Sequence, residues 1–355
     1  MISRHLIDLD TMPLEEIEEI LDLAKVIMRQ PQYFSDSAHG KIMASLFYEP
    51  STRTQMSFQA AMLKLGGDNI GFDNPLNSSV AKGESLKDTI RVVSNYADII
   101  VIRHPLEGAA KAATMFSRCP VINAGDGGHL HPTQTLTDIF TLLNTKGTLE
   151  NLTIGICGDL KYGRTVHSLI KTLLRYKNNR FVAISTKELG LPDYIKNMIK
   201  NSGCDYIESD SLEDSIGLVD VLYMTRIQRE RFDNESDYLK QKGIFVLDPH
   251  KLKKAKYGLK ILHPLPRVDE IDYEVDEDER AVYFEQTEYG MYARMALILH
   301  LLGNSAKQLE PLKESNLDKK CGNPRCITNS EHYLPKLYIK QEKGYICEYC
   351  EHTEQ

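Results

Sequence analysis

Three things are missing from this 355-residue sequence, and each absence narrows what the protein can be. No stretch approaches the roughly 18 consecutive apolar residues that a membrane-spanning helix requires, and the most apolar helical run, "ARMALILHLLG", is too short. The N-terminus, "MISRHLIDLD", lacks the basic-then-apolar plan of a secretory signal. Positive charge is not in excess: 43 Lys and Arg stand against 50 Asp and Glu, a net charge of −7. That balance argues against a broad nucleic-acid or anionic-membrane surface and leaves room for a local basic pocket. The expectation is a soluble, cytoplasmic chain with neither nucleic acid nor membrane as a partner.

Cysteine is sparse through most of the chain. Cys119, Cys157 and Cys204 stand singly in the first 300 residues and are read as small hydrophobes. The other four, Cys321, Cys326, Cys347 and Cys350, crowd the last 35 residues as C-x4-C-x20-C-x2-C.

What is present is an ordinary globular composition, 42% hydrophobic and 26% charged, over a length that calls for two or three domains. Residues 14–28 have helical periodicity. Strand candidates at 42–48, 69–72, 98–102 and 120–123 alternate with helix candidates at 54–65, 84–95 and 108–117. A long helix is expected from Pro132 to about residue 145. The alternation then restarts with "LTIGICGD", helices near 164–176 and 192–201, and strands in "FVAIS", "VDVLYM", "IFVLD" and "LKILHP". Such a pattern predicts α/β architecture: two doubly wound parallel-sheet domains with helices on both faces. A helix at 290–302 is expected to close the second unit or return to the first, and a polar linker follows Gly303.

One turn carries unusual chemistry. In "FYEPSTRTQMSF" (47–58) a strand passes into a helix through Ser51, Thr52, Arg53 and Thr54. A helix N-terminus offers unpaired N–H groups and partial positive charge. The hydroxyls add donors, and the arginine adds a fork that matches a phosphate. The same hydroxyls also suit a plain helix cap.

Six further motifs follow in order: "SVAKGESLKDT" (79–89), "VIRHP" (101–105), "HPTQTLTDIF" (131–140), "GDLKYGRTVHSL" (158–169), "YMTRIQRER" (223–231) and "HPLPRVDEI" (263–271). Together with the S-T-R-T turn they resemble the aspartate transcarbamoylase catalytic chains, over roughly residues 3–304. That resemblance implies condensation of carbamoyl phosphate with L-aspartate, an early step toward pyrimidines, with no covalent intermediate and no catalytic cofactor. It assigns Ser51, Thr52, Arg53, Thr54 and Arg103 to the phosphate. Thr54, Arg103 and His131 are expected at the carbonyl oxygen, and Gln134 at the carbamoyl amide. Arg164 is assigned to the α-carboxylate of aspartate and Arg226 with Gln228 to its β-carboxylate, with Glu230 orienting Arg226. The backbone carbonyls of Leu265 and Pro266 are expected to receive the amine. Ser78 and Lys82 match a loop that, in the family, enters the neighbouring subunit's site. The resemblance therefore also implies a homotrimer with shared sites, open to higher assembly.

In the tail, two cysteine pairs flank the strand-forming "YLPKLYIKQEKGYI", a pattern suited to tetrahedral Zn²⁺ held by four thiolates. Four thiolates leave no open coordination position, so the role is structural. The segment resembles the zinc domain of aspartate transcarbamoylase regulatory chains, here fused without the nucleotide-binding domain that normally precedes it. A nucleic-acid ribbon is the competing reading, but residues 321–355 hold four Lys and Arg against five Asp and Glu. His129-x-His131 offers too few ligands for a second metal site. The expected domains are 1–132 for carbamoyl phosphate, 133–289 for aspartate, 305–320 as linker and 321–355 for zinc, with the helix at 290–304 packing back on the first. Two other functions compete with this one. An ornithine enzyme of the same family is disfavoured by Pro264 in "HPLP" and by arginines at 164 and 226, which suit a dicarboxylate. A non-catalytic scaffold is disfavoured by the intact motif set.

Overall fold

Near-continuous apolar strands separated by amphipathic helices fold into two parallel sheets, each in its own unit. A computed structural model describes residues 4–229, 232, 234–304, 319–341 and 344–354. Unit 1 comprises Met1–Thr133 with Met291–Gln355, and unit 2 comprises Gln134–Gly290.

Unit 1 runs α1 (Leu14–Arg29), β1 (Ile42–Phe47), α2 (Thr52–Lys64), β2 (Asp68–Phe72), α3 (Leu86–Val93), β3 (Ile99–His104), α4 (Ala109–Thr114) and β4 (Val121–Asp126). Its strands are parallel in the order β2-β1-β3-β4. In α1 the residues Ile17, Ile20, Leu21, Ala24 and Ile27 recur every three or four positions and are all buried, which fixes its inward face. Strand β3 is buried along nearly its whole length, as a central parallel strand must be.

Unit 2 runs α5 (Pro132–Lys146, entering from unit 1), β5 (Thr153–Cys157), α6 (Arg164–Leu173), β6 (Arg180–Ile184), α7 (Asp193–Asn201) and β7 (Asp205–Ser209). It continues through α8 (Leu212–Ser215), β8 (Val221–Met224), α9 (Glu235–Gln241), α10 (Pro249–Leu252) and β9 (Lys260–Leu262). The parallel order is β7-β6-β5-β8-β9.

Two sequence expectations are corrected here. Strand β7, "DYIES", was not foreseen: it is an edge strand, polar and mostly exposed, without an apolar signal. The segment "IFVLD" is not a sheet strand. Its apolar residues Phe245 and Leu247 are buried, but Leu247 makes only an isolated bridge to Ile271.

Helix α11 (Glu285–Asn304) leaves unit 2 and enters unit 1 at Met291. Within unit 1, Arg294 donates to Ser57 Oγ at 2.9 Å and lies over the Phe58 ring, while His300 meets Glu16 at 2.7 Å. Most of the expected linker, 305–318, lies outside the described residues.

The tail forms an antiparallel sheet of β10 (Tyr338–Lys340), β11 (Tyr345–Cys347) and β12 (Thr353–Glu354). It packs into the core of unit 1. Leu334, Leu337, Tyr338 and Tyr349 share one buried cluster with the alanines of α4 and with Leu86 and Ile90 of α3. Polar contacts fix the register: Leu86 N–H donates to Glu331, Lys87 N–H to the Tyr333 hydroxyl, and Lys111 pairs with Glu348. Gly108 has φ +84°, and a Cβ there would sit 2.5 Å from Cβ of Tyr349, so the tail can lie this close only over glycine.

Candidate active site and metal centre

In doubly wound sheets ligands collect beyond the carboxyl ends of the strands, where the strand order reverses. In unit 1 that point lies between β1 and β3, and in unit 2 between β5 and β8.

The S-T-R-T turn leaves β1 at the reversal point of unit 1. Ser51 is the N-cap of α2, yet its side chain makes no capping hydrogen bond, so the plain-cap reading of this hydroxyl fails. Thr52 and Arg53 are exposed and Thr54 is buried. Arg103 is the penultimate residue of the neighbouring strand β3, with Phe47 opposite it in register. Its guanidinium faces Glu49 at 3.1 Å, the Ala124 carbonyl at 3.4 Å and His131 Nε2 at 3.4 Å. Burial lowers the Arg103 pKa, the Glu49 carboxylate opposes that, and the nearby Arg53 adds to it. Its Nε is buried with no hydrogen-bond partner among the described residues. Since arginine can only donate, His131 Nε2 is the acceptor in that contact, and its Nδ1 lies 3.5 Å from Thr133 Oγ1. The structure thus groups Arg53, Arg103 and His131. Glu49 was missed by sequence reasoning although it stands inside the quoted turn, because an acid was not sought in an anion site.

Ser78 and Lys82 lie elsewhere on the chain, in the loop after edge strand β2. Ser78 caps a short 3-10 turn over Ser79–Lys82 by accepting from Val80 N–H, and Lys82 is exposed. Among the described residues no hydrogen bond or ion pair joins either one to Arg53, Arg103 or His131 of the same chain.

In unit 2, Arg164 opens α6 just beyond β5, and Arg226 with Gln228 follows β8. The two loops are tied together. Thr225 N–H donates to the Cys157 carbonyl at 2.9 Å, Asp159 N–H to Thr225 Oγ1 at 3.0 Å, and Gln228 Nε2 to the Tyr162 carbonyl at 3.3 Å. Gly158 permits the approach: at φ +117°, a Cβ there would lie 2.3 Å from the Thr225 carbonyl oxygen. Beyond β9, the next strand, comes "HPLP", in which the Leu265–Pro266 bond is cis and Leu265 has φ +53°. His263 anchors that loop, accepting from Leu265 N–H at Nδ1 and meeting buried Glu270 at 2.7 Å through Nε2. Three adjacent strand ends therefore carry Arg164, Arg226 with Gln228, and Leu265-Pro266. Glu230 lies outside the described residues. Gln134 sits on α5, with its amide on Asp138 at 2.8 Å.

The four tail cysteines come together. All are buried, their Sγ atoms lie within 4.8 Å of one another, and the Cys321–Cys350 and Cys326–Cys347 pairs are 3.7 and 3.8 Å apart. A tetrahedron of thiolates about 2.3 Å from a metal has edges of about 3.8 Å. The donor set fits a closed metal site.

The fold and these sites define a class: a two-unit α/β protein with arginines at each sheet's reversal point and a four-cysteine module packed on unit 1. Comparison with known proteins gives the family. Residues 4–144 match the model for the aspartate/ornithine carbamoyltransferase carbamoyl-P binding domain, and residues 150–301 that for the Asp/Orn binding domain. Residues 319–355 match the metal binding domain of the aspartate carbamoyltransferase regulatory chain. The chain belongs to the aspartate/ornithine carbamoyltransferase family.

It is 58% identical over 304 residues to an aspartate carbamoyltransferase catalytic subunit of Clostridium perfringens, covering 85% of this chain and 99% of the relative. Among solved structures it resembles the catalytic subunit of M. jannaschii aspartate transcarbamoylase, with a TM-score of 0.80 and 47% identity over 85% of this chain and 99% of that one. It also resembles the Trypanosoma cruzi enzyme in complex with N-(phosphonacetyl)-L-aspartic acid, with a TM-score of 0.78 and 36% identity over 83% and 95% of the two chains.

Proposed function

We propose that this protein is an aspartate carbamoyltransferase, transferring the carbamoyl group of carbamoyl phosphate to L-aspartate to give N-carbamoyl-L-aspartate and phosphate. The observation that carries the reading is the pairing of chemistries. Unit 1 gathers Arg53 and Arg103 beside an uncapped helix N-terminus, and unit 2 places arginines on two adjacent strand ends. A dianion carrying an activated carbonyl and a dicarboxylate amine need that division of cationic groups.

Ser51, Thr52, Arg53, Thr54 and Arg103 hold the phosphate, and Arg103 with Thr54 and His131 polarises the carbonyl oxygen. The uncharged amine of aspartate, held by the Leu265 and Pro266 carbonyls, attacks the carbonyl carbon. The C–N bond forms, the C–O bond to phosphate breaks, and phosphate departs with that electron pair and accepts a proton released by the amine. Arg164 holds the α-carboxylate, and Arg226 with Gln228 the β-carboxylate. Lys82 and Ser78, exposed or half-exposed on the edge-strand loop, serve a neighbouring subunit's site in a cytoplasmic homotrimer. The tail holds one structural Zn²⁺ on Cys321, Cys326, Cys347 and Cys350. The reaction feeds pyrimidine synthesis.

Purified protein is expected to release phosphate from carbamoyl phosphate with L-aspartate. Turnover with ornithine and none with aspartate would overturn the assignment.

A further inference from the structure

One fully buried carboxylate in unit 2 has three donors converging on it, and the catalytic reading above does not use it. Asp138 lies on α5, four residues after Gln134 and therefore on the same helical face. Its Oδ1 accepts from the Gln134 amide at 2.8 Å and from the Gln286 amide at 2.6 Å. Its Oδ2 accepts from the Tyr223 hydroxyl at 2.9 Å.

A carboxylate can only accept, so both glutamines must turn their NH₂ groups toward it. Gln286 is checked independently at its other end, where Oε1 accepts the backbone N–H of His263 at 3.1 Å. Gln134 is half-buried, and the same constraint leaves its Oε1 facing away from Asp138.

We propose that Asp138 is the positioning residue that fixes the Gln134 amide with its carbonyl oxygen outward, so that the site selects an acyl phosphate bearing an N–H donor. The inference rests on the function proposed above and on Gln134 meeting the carbamoyl amide, as the family resemblance implies. Carbamoyl phosphate presents NH₂ beside its carbonyl. Acetyl phosphate presents a methyl group there, with the same phosphate and the same carbonyl. An outward acceptor is satisfied by the first and stranded by the second, and a site built to pair a polar group rejects the analogue that lacks it. Were the amide reversed, its NH₂ would face the substrate's own NH₂ and the preference would go.

The same carboxylate orders the rest of unit 2's machinery. Tyr223 lies in β8 three residues before Arg226, and Gln286 holds the first residue of "HPLP". Asp138 thus ties α5, the end of β8 and the β9 loop to one point.

The experiment measures KM for carbamoyl phosphate and the competitive inhibition constant of acetyl phosphate, and takes their ratio in the full chain and in variants. Asp138→Leu removes the acceptor and is expected to cut the preference about tenfold, the worth of one neutral hydrogen bond. Asp138→Asn can keep an oxygen toward both amides and its NH₂ toward Tyr223, and is expected to retain the wild-type ratio. Tyr223→Phe leaves Oδ1 untouched, so the ratio should hold even if the melting temperature drops. An unchanged ratio in folded Asp138→Leu overturns the proposal, as does a loss in Asp138→Asn equal to that in Asp138→Leu. If Asp138→Leu does not fold, Gln134→Met decides: a wild-type ratio overturns the proposal, and a tenfold loss sustains it. Absence of any turnover by the wild-type enzyme would instead count against the function proposed above.

Discussion

Asn323, between the first two cysteines of the tail, donates to the Glu107 carboxylate just before α4 at 2.6 Å. The backbone closes the same clasp on either side: Glu107 N–H donates to the Arg325 carbonyl, and Ile327 N–H to the Glu107 carbonyl, each at 2.9 Å. A polar residue flanked by two backbone bonds is a register lock, and it fixes the metal module on the domain that carries Arg53 and Arg103.

The lock depends on close approach over Gly108, which gives the first test. Gly108→Val puts a β-branched residue at a positive φ and drives it into the Tyr349 backbone and Cβ. We expect a loss of about 1–3 kcal/mol and faster proteolysis of the tail, read by limited digestion, with the metal content unchanged. A tail as resistant as wild type would mean that it does not sit on α4.

Metal removal tests the module itself. A domain of about 40 residues can hardly support its own core without a staple. We expect one zinc per chain by elemental analysis. Chelation should unfold the tail and lower the melting temperature of unit 1, because Leu337 and Tyr349 leave its core. Phosphate release by the remaining catalytic domains should persist under conditions where they stay folded. Its loss in chelated but folded protein would assign the metal more than a structural role.

The docking explains what could and could not be read from the sequence. The cysteine spacing marks a metal site because chelation requires four soft ligands from two close pairs. Nothing in that spacing says where the module lands, since α4 is a short run of alanines whose receptiveness shows only once Gly108 and Glu107 are placed. Strand alternation showed both sheets, because buried parallel strands are apolar throughout. It missed β7, whose exposed polar edge carries no such signal. The arginines stood out by charge within motifs. Glu49 and Asp138 did not, since an acid in an anion site and a buried acid on a helix gain meaning only from their partners.

The phosphate group of residues can be tested at the turn. Arg53 is exposed and makes no ion pair among the described residues, so Arg53→Ala removes little that holds the fold. We expect turnover to fall by a factor of about 100 or more, the scale for loss of a preorganised transition-state contact, with an unchanged circular dichroism spectrum. Unaltered kinetics would remove Arg53 from the site. In unit 2, Arg226→Ala should instead act on aspartate, raising its KM while leaving the affinity for carbamoyl phosphate near wild type.

Acid sensitivity follows from His104, buried in unit 1, and His167, half-buried in unit 2. Burial pushes the pKa of His104 down to about 4, and the Asp126 carboxylate only partly offsets it. Burial likewise holds His167 at about 4, with one ring nitrogen on the Leu160 carbonyl and the other on the Tyr194 hydroxyl. For both, the folded pKa lies below the unfolded value of about 6.5, so the unfolded chain binds more protons as the pH falls between the two. Their contribution is intact above pH 6.5 and is lost as the pH drops toward 4. By pH 5 the loss should be on the order of 1–2 kcal/mol for each histidine. His129 offsets only part of it. Burial opposes its charge, but Asp126 and Glu351 raise its pKa to about 10, so the folded ring stays protonated from pH 7 to pH 5 while the unfolded ring gains its proton over that range, which adds stability on the order of 1 kcal/mol. Urea midpoints measured at pH 7 and pH 5 with saturating zinc should therefore fall with acid, and His167→Gln should flatten that fall. Equal midpoints at the two pH values would show that neither ring is held neutral.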